Sequence, residues 1–303
     1  MRRSNLAVVL LVLAALGASV LGGCSPADSG PTEGPGASEA SPLRVGLIPN
    51  IAPEEQKAKY EPLREYLEDT LGRPVELFVA TNYSGVVQAM VSGHLDMAYF
   101  GGLTYAQALQ QVELEPIVTE IDAETGTQEY YSVIIAGVDS GVETLADLAG
   151  KSFAFGDPAS TSGSLYPRKM LVEAGYDWRQ DFAPIAEVLY SGGHDATAKA
   201  VENGTVAAGG IEGRILARMI ADGRVDESRI KIVDRVLVQG YPWCVVSSMD
   251  DKLKDEIRNA FLAIDDPVLL DLLRARSYVA VDADDYAELR KDAVALGLID
   301  PEE

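Results

Sequence analysis

Short apolar segments alternate with amphipathic helical segments from Leu43 onward, and this alternation restricts the possible fold more than any other feature. Apolar or β-branched runs between turn residues are typical of buried strands, and apolar residues spaced three or four apart are typical of helices packed on a sheet. The alternation predicts an α/β fold. The predicted strands are 43–48, 75–79, 96–100, 115–119, 131–136, 152–155, 185–189, 206–210, 230–233 and 243–246. The predicted helices are 53–71, with a kink or restart at Pro62, and 84–91, 104–111, 142–148, 164–174, 194–202, 211–221, 252–263, 267–274 and 283–296.

The first 23 residues have the composition of an export signal. Two arginines precede an apolar run over 6–21, which is shorter than the roughly 20 residues of a membrane-spanning helix and is followed by Gly-Gly-Cys24. The segment resembles a bacterial lipoprotein signal peptide, which implies cleavage after residue 23 and lipid attachment to Cys24. Residues 25–42 contain only small, polar and acidic residues and proline, so 24–42 is predicted to be a disordered tether. We therefore expect an extracytoplasmic protein anchored to the cell membrane by its lipid.

Composition and charge exclude some classes of function. The 303 residues are 47% hydrophobic, which is enough for a sizeable core. The formal net charge of −22 disfavours a nucleic-acid partner. Besides Cys24 the chain has only Cys244, which lies in an apolar strand-like run and is expected to be a buried core thiol.

The sequence Asp-Pro-Ala-Ser-Thr-Ser-Gly at 157–163 lies between a predicted strand and a predicted helix. A helix N-terminus has unpaired backbone N–H groups and a partial positive charge, so three hydroxyl residues at that position suit a tetrahedral oxyanion. A simpler explanation is that Ser160 or Ser162 only caps the helix. The pattern favours an anion-binding loop and leaves helix capping as the alternative.

Several motifs together resemble one known family. They are Ala-Thr-Asn-Tyr-Ser at 80–84, Asp-Met-Ala-Tyr-Phe-Gly at 96–101, Tyr-Tyr-Ser-Val at 130–133, the 157–163 loop and Gly-His-Asp at 193–195. With the lipoprotein-like leader, they resemble the phosphate, phosphite and phosphonate substrate-binding proteins of ABC transporters.

The resemblance implies a type II periplasmic-binding-protein-like fold with two α/β lobes and two crossovers between them. Lobe 1 would comprise 43–129 and 242–303, and lobe 2 would comprise 130–241. The implied partners are a phosphorus oxyanion ligand, an ABC permease and its ATPase, and the protein itself is expected to be a monomer.

Carried over by motif, the resemblance points to six ligand-binding residues: Tyr83, Tyr130, Ser160, Thr161, Ser162 and His194. Tyrosine and serine hydroxyls, and a histidine at a helix N-terminus after Ser-Gly-Gly, all donate hydrogen bonds to an oxyanion. Ordinary packing of the tyrosines and a solvent-facing histidine are the alternatives. The other histidine, His94, is predicted to be a surface loop residue.

The expected ligand is a small oxyanion such as phosphite, phosphate or a simple alkylphosphonate. Family members that take aminoalkyl phosphonates hold the ammonium group with carboxylates in lobe 2 and near the return crossover. Here the only acid in those neighbourhoods is Glu212, accompanied by Arg214 and Tyr241, which do not bind ammonium groups. Glu212 or Asp195 would accept a P–OH hydrogen bond, or each is a solvated helix-face acid.

Enzymatic alternatives fit the sequence less well. Gly-Lys-Ser152 resembles the end of a phosphate-binding nucleotide loop, but Leu145 stands where that loop needs glycine. The 157–163 loop lacks the Gly-x-Ser-x-Gly pattern of serine hydrolases, and two distant histidines give no recognisable metal-ligand spacing. We therefore expect a binding protein without catalytic residues, cofactor or metal. A same-fold protein for another solute or a sensor is the main alternative, and a phosphate-ester-processing enzyme is a weaker one.

Overall fold

The computed structural model describes residues 41–180 and 182–301. Within these residues the chain forms eleven strands and nine α-helices, joined by short 3₁₀ turns and one π-helical turn. The strands are β1 Leu43–Leu47, β2 Val75–Val79, β3 Met97–Tyr99, β4 Leu114–Asp122, β5 Glu129–Gly137, β6 Ser152–Phe155, β7 Glu187–Tyr190, β8 Ala208–Glu212, β9 Ile230–Gln239, β10 Trp243–Val246 and β11 Ala275–Ala280. The helices are α1 Pro53–Leu71, α2 Tyr83–Val91, α3 Gly102–Leu109, α4 Tyr166–Glu173, α5 His194–Glu202, α6 Gly213–Ala221, α7 Asp251–Leu262, α8 Pro267–Leu272 and α9 Ala287–Ala295.

The first sheet contains strands from both ends of the described chain. Its order is β11-β4-β10-β3-β1-β2. Strand β1 runs parallel to β2 and β3, while β10 lies antiparallel between β3 and β4. This sheet and its helices are called lobe 1 below.

The second sheet contains only strands from the middle of the chain. Its order is β7-β6-β8-β5-β9, with β6 parallel to β7 and β8, and β5 antiparallel to β8 and β9. This sheet and its helices are called lobe 2. The chain enters lobe 2 through residues 123–128 and returns through 240–242, so the predicted α/β fold of two lobes with two crossovers is confirmed.

Helix α1 shows how the apolar pattern sets the packing of lobe 1. Tyr60, Leu63 and Leu67 recur at helical spacing and are buried against the sheet. The helix runs through Pro62 without interruption, so the predicted restart is wrong. Pro62 lies on the exposed side, where water can satisfy the carbonyl that loses its helical hydrogen bond.

Several other predicted elements differ from the structure, most clearly the two helices predicted over 142–148 and 267–274. The expected helix over 142–148 is a single 3₁₀ turn, Leu145–Leu148, started by a capping box between Thr144 and Asp147. Strand β11 was not predicted, and α8 ends before Arg274, which adopts a positive φ of 60°. That turn redirects the chain from helix to strand within a few residues, which is too short for a periodicity argument to detect.

None of the helices in 41–180 and 182–301 has the length and apolar character needed to span a membrane.

Cys244 lies in β10 at the centre of the lobe 1 core and is fully buried. Burial raises the pKa of its thiol well above the ordinary value, which disfavours the reactive thiolate. In a Cys24→Ser variant we expect no reaction with a disulfide reagent in native buffer and a single reactive thiol in denaturant. Rapid labelling of the folded protein would contradict this assignment.

Candidate functional site

The loop 157–163 follows β6. Its last three residues belong to a π-helical turn, Thr161–Leu165, which precedes α4. The Ser160 hydroxyl oxygen accepts the Gly163 N–H at 3.0 Å, so Ser160 is the helix cap. The Gly156 N–H donates to the Gly163 carbonyl at 2.7 Å, which closes the loop on itself. Capping therefore accounts for Ser160 and leaves the two following hydroxyls to be explained.

Thr161 and Ser162 are both buried, but their surroundings differ. The Thr161 hydroxyl oxygen accepts the backbone N–H of Leu103, in the first turn of α3 in lobe 1, at 2.9 Å. The Ser162 hydroxyl has no hydrogen-bond partner among the described residues. Its backbone carbonyl accepts from the Ser132 hydroxyl at 2.9 Å. The loop thus contacts lobe 1 and also holds one buried hydroxyl free to donate.

His194 is the first residue of α5 and is buried. Its backbone N–H donates to the carbonyl of Asn50 in lobe 1 at 3.0 Å. Its Nδ1 accepts the backbone N–H of Glu212 at 3.2 Å, so the ring proton resides on Nε2. Burial lowers the pKa of His194 to about 4, and the ring is neutral at physiological pH. Its Nε2 has no partner among residues 41–180 and 182–301, which makes it a buried neutral donor.

The two tyrosines approach from different elements. Tyr83 begins α2, where its backbone N–H donates to Asp157 at 3.2 Å and its hydroxyl makes a long 3.4 Å contact to Oδ1 of Asn50. Tyr130 lies in β5 with its ring 5.2 Å from that of Tyr241, and its hydroxyl has no partner in the described part of the chain. Burial raises the pKa of both phenols, so both stay protonated and able to donate.

Beside these donors lies a buried ion network that joins the lobes. Arg214, at the start of α6, donates to Glu212 at 2.7 Å and to Glu120 of lobe 1 at 2.8 Å. Arg274 of lobe 1 lies 3.5 Å from Glu212, and the Tyr241 hydroxyl donates to the other Glu212 oxygen at 2.6 Å. Burial acts to raise the pKa of Glu212, but the two arginines outweigh it and lower that pKa to about 2. Glu212 is therefore a carboxylate whose oxygens are both engaged by the protein.

The arrangement brings most of the sequence-predicted residues into one connected group. Asn50 touches Tyr83 and His194, and a Cβ at Gly163 would lie 3.1 Å from the His194 ring. We call the predicted residues of this group the inter-lobe cluster: Tyr83, Tyr130, Ser160, Thr161, Ser162 and His194. Asp195 follows His194 with a half-buried side chain, and Glu212 belongs to the ion network.

Sequence reasoning missed Asn50, Glu120 and Arg274. Asn50 was detectable, because it follows the carboxyl end of the parallel strand β1, where ligands bind in open α/β sheets. Glu120 and Arg274 carried no such signal, since their importance depends on partners more than 60 residues away in the chain.

Two lobes joined by two crossovers, with a buried group of polar donors between them, define a two-lobed solute-binding protein. Residues 45–286 match the family described as "ABC transporter, phosphonate, periplasmic substrate-binding protein", and the chain belongs to that family.

The relatives agree with this assignment. The chain is 31% identical over 226 residues to the phosphate-import protein PhnD of Mycolicibacterium smegmatis, covering 72% of this chain and 70% of that protein. It is 28% identical to the phosphonates-binding periplasmic protein of Escherichia coli, covering 73% of this chain and 65% of that protein. The solved structure of PhnD1 from Prochlorococcus marinus in complex with methylphosphonate has a TM-score of 0.75 and 22% identity, covering 85% of this chain and 99% of that one.

Family membership settles the broader predictions. The type II two-lobed fold is confirmed, and the protein is an extracytoplasmic substrate-binding component of an ABC phosphonate transporter, with a permease and an ATPase as its implied partners. The family comprises transport proteins, which confirms the expectation that the chain is not an enzyme. In residues 41–180 and 182–301, no three histidine, cysteine or acidic side chains are grouped to hold a metal ion.

Proposed function

We propose that the inter-lobe cluster binds a small phosphorus oxyanion without an ammonium group, namely phosphite, phosphate or a simple alkylphosphonate. The observation that carries this proposal is the set of buried donors without protein partners: the Tyr130 hydroxyl, the Ser162 hydroxyl and Nε2 of His194. An unsatisfied buried donor costs about 1–3 kcal/mol, so three in one place indicate a ligand that accepts hydrogen bonds. An oxyanion supplies acceptors in several directions.

The surrounding charges support an anion without a cationic tail. Glu212, whose backbone N–H donates to His194, is already paired with Arg214 and Arg274 and accepts from Tyr241. To pair with Glu212, a ligand ammonium would have to displace a buried guanidinium, which is costly. The methylphosphonate bound to the structurally similar PhnD1 has no such group. A P–OH group of the ligand would donate to Asp195, or to a second lone pair of a Glu212 oxygen that already accepts from Arg214 or Tyr241.

The same cluster explains how binding drives closure. Thr161 and Asp157 of lobe 2 accept hydrogen bonds from the N-terminal turns of α3 and α2 in lobe 1. The structure therefore has the closed arrangement, in which the two lobes are in contact. A ligand held by donors from both lobes binds this state better than an open one and shifts the equilibrium toward it. The closed form is then the one that the permease recognises.

The remaining elements of the proposal concern the N-terminus, the lobe boundaries and the oligomeric state. Residues 1–23 are removed as a signal peptide, Cys24 carries the lipid, and 24–42 tether a monomeric domain to the membrane. These residues, apart from 41 and 42, lie outside the described part of the chain. Lobe 1 takes 43–129 and 242–303, and lobe 2 takes 130–241. Metabolic labelling with a fatty acid, with Cys24→Ser as the unlabelled control, tests the anchor.

The ligand is tested by thermal unfolding with phosphite, phosphate, methylphosphonate, 2-aminoethylphosphonate and sulfate. A ligand at about 1,000 times its Kd stabilises the folded state by about 4 kcal/mol, which gives a clear shift in Tm. We expect a shift with one or more of the first three and none with 2-aminoethylphosphonate. The proposal would be contradicted if a folded, ligand-free protein showed no shift in Tm with phosphite, phosphate or methylphosphonate.

Tyr130→Phe removes one hydroxyl donor and keeps the ring on Arg214 and Tyr241. We expect the affinity for the bound oxyanion to fall by about 1–3 kcal/mol, as for loss of a hydrogen bond to a charged group, with the Tm of the free protein unchanged. Thr161→Ala should have a similar effect. The neighbouring Tyr131, which is half-buried with Arg235 on its ring, provides the control Tyr131→Phe. Equal affinities for Tyr130→Phe and Tyr131→Phe, measured by calorimetry, would remove Tyr130 from the site.

Gly163→Ala tests the close approach of the loop to His194. The added Cβ would lie 2.9 Å from the Ser160 hydroxyl oxygen and 3.1 Å from Cε1 of His194, so one of them has to move. We expect the affinity to fall by about 1–3 kcal/mol, as for loss of a hydrogen bond to a charged group, because the displaced Ser160 or His194 no longer donates to the ligand. Gly204→Ala, in open surroundings with a positive φ of 70°, is the control for fold strain without a site effect. Unchanged oxyanion affinity in Gly163→Ala would argue against this geometry.

A further inference from the structure

The turn that follows β1 belongs to lobe 1 by sequence but also contacts lobe 2. Ile48 and Pro49 leave the strand, and α1 begins at Pro53. Between them, the carbonyl of Asn50 accepts the backbone N–H of His194 in lobe 2 at 3.0 Å. The turn therefore bridges the two lobes at the N-terminus of α5.

Ile51 continues this bridge with an apolar contact. It is 6% exposed and belongs to a hydrophobic cluster whose other members all come from lobe 2, among them Val133, Ala154 and Ile215. A lobe 1 side chain inserted into the core of lobe 2 is buried only while the lobes are together. Its burial therefore contributes to closure.

The side chain of Asn50 has an unused donor. It is fully buried, its Oδ1 receives the hydroxyl of Tyr83 at 3.4 Å, and its Nδ2 has no partner among the described residues. Its backbone carbonyl is bonded to His194, whose Nε2 also lacks a partner. Asn50 is thus held between two residues of the inter-lobe cluster, Tyr83 of lobe 1 through its side chain and His194 of lobe 2 through its backbone carbonyl.

We infer that Asn50 and Ile51 form a ligand-sensing latch: Asn50 Nδ2 donates to the bound oxyanion, and Ile51 enters the lobe 2 core when the lobes close around it. The inference rests on the proposed function, because it requires an anion in the inter-lobe cluster. Binding and closure are coupled because the two residues are adjacent in one short turn. A ligand that orders the Asn50 amide also fixes the position from which Ile51 reaches lobe 2.

An isosteric substitution distinguishes direct ligand contact by Asn50 from a purely structural role. Asn50→Asp keeps an oxygen for the Tyr83 hydroxyl and keeps the backbone carbonyl for His194, but it replaces the donor with a carboxylate oxygen beside the anion. The affinity for the oxyanion should fall at least about 100-fold near pH 8, since a donor is lost and a like charge is added. Binding should also take up about one proton more than in the unchanged protein, because the introduced carboxyl group binds the anion only when neutral. Asn50→Ala should lose about 10- to 100-fold without added proton uptake.

Two substitutions in the hydrophobic cluster that contains Ile51 distinguish its latch role from ordinary core packing. Ile51→Ala should weaken oxyanion binding by about 30-fold or more, while the Tm of the ligand-free protein changes by less than about 2 °C, because Ile51 leaves the cluster when the lobes open. Ile215→Ala, within lobe 2 itself, should lower the ligand-free Tm by about 8 °C or more.

The experiment is titration calorimetry of the full chain, in buffers of different ionisation enthalpy, with phosphite, phosphate and methylphosphonate as probes. Weakened binding in both latch variants, with extra proton uptake in Asn50→Asp, supports the latch. In another outcome, the unchanged protein binds a probe and Tyr130→Phe weakens that binding, but Asn50→Asp and Ile51→Ala have unchanged affinity. This outcome overturns the latch and leaves the proposed function intact. A ligand-free Tm that falls as far in Ile51→Ala as in Ile215→Ala also overturns it. A folded, ligand-free protein that binds none of the three probes overturns both.

Discussion

Replacing Arg214 with methionine is expected to lower the free energy of unfolding of the closed, oxyanion-bound protein by about 3–5 kcal/mol, the usual cost of removing one member of a buried ion network. Arg214 is only 7% exposed, and its guanidinium contacts Glu212, Glu120 and, at 3.6 Å, Asp122. It also lies 4.4 Å from the centre of the Tyr130 ring. Methionine fills much of the volume but leaves buried carboxylates without their main counter-charge.

The matched control lies one turn further along α6. Arg218 also joins the lobes, through Asp271 at 2.8 Å, but both side chains are substantially exposed. Because water screens that pair, Arg218→Met should cost no more than about 1 kcal/mol. Urea unfolding at neutral pH, with a saturating oxyanion that holds the lobes closed, measures both variants. Equal losses would show that the Arg214 network is no more important than a surface ion pair.

A second substitution identifies the cause of the loss. If uncompensated negative charge is responsible, Glu120→Gln in the Arg214→Met background should restore part of the stability, because it removes one of the unpaired carboxylates. If the loss comes from packing against Tyr130, the double variant should be no more stable than Arg214→Met. The two explanations therefore predict opposite results.

The fold was largely predictable because its signals are local. The strands at Val75–Val79, Ser152–Phe155 and Trp243–Val246 and the helices at Pro53–Leu71 and His194–Glu202 have the predicted bounds. Each has its full apolar pattern and a turn or capping residue within its own segment. Strand β11 lacked such a pattern, since its start depends on the left-handed residue Arg274.

The candidate site likewise has residues that local sequence patterns predict and residues that they do not. Helix N-termini and strand ends can be located from sequence, and this places Tyr83, His194 and the 157–163 loop at positions suited to anion contact. Pairings such as Arg214 with Glu120 depend on how two lobes meet, and no local pattern encodes them. For this reason the sequence predicts Glu212 only as a P–OH acceptor or a solvated helix-face acid, whereas in the structure both of its oxygens accept hydrogen bonds from Arg214 and Tyr241.

The unfolding free energy is expected to fall by about 2–3 kcal/mol between about pH 7.5 and 4.5 because of His194 alone. The folded-state pKa is about 4 and the ordinary value is 6.5, with burial as the main cause of the difference. The folded protein therefore resists protonation that the unfolded chain accepts. This contribution to stability is complete above pH 6.5 and is lost as the pH falls toward 4.

Glu212 acts in the same direction but at lower pH, because its pKa is about 2 in the folded protein against an ordinary 4.5. Above about pH 4.5 its contribution is nearly constant, so the upper window reports on His194. His194→Gln, which keeps a neutral side-chain donor but does not titrate, should lose most of the pH dependence in that window. His94→Gln, at the exposed histidine, should keep it. Urea unfolding of the three proteins at several pH values measures the difference. If His194→Gln retains the slope of the unchanged protein, the histidine does not hold its neutral, Nε2-protonated form in the closed site, and its assignment as an oxyanion donor loses its physical basis.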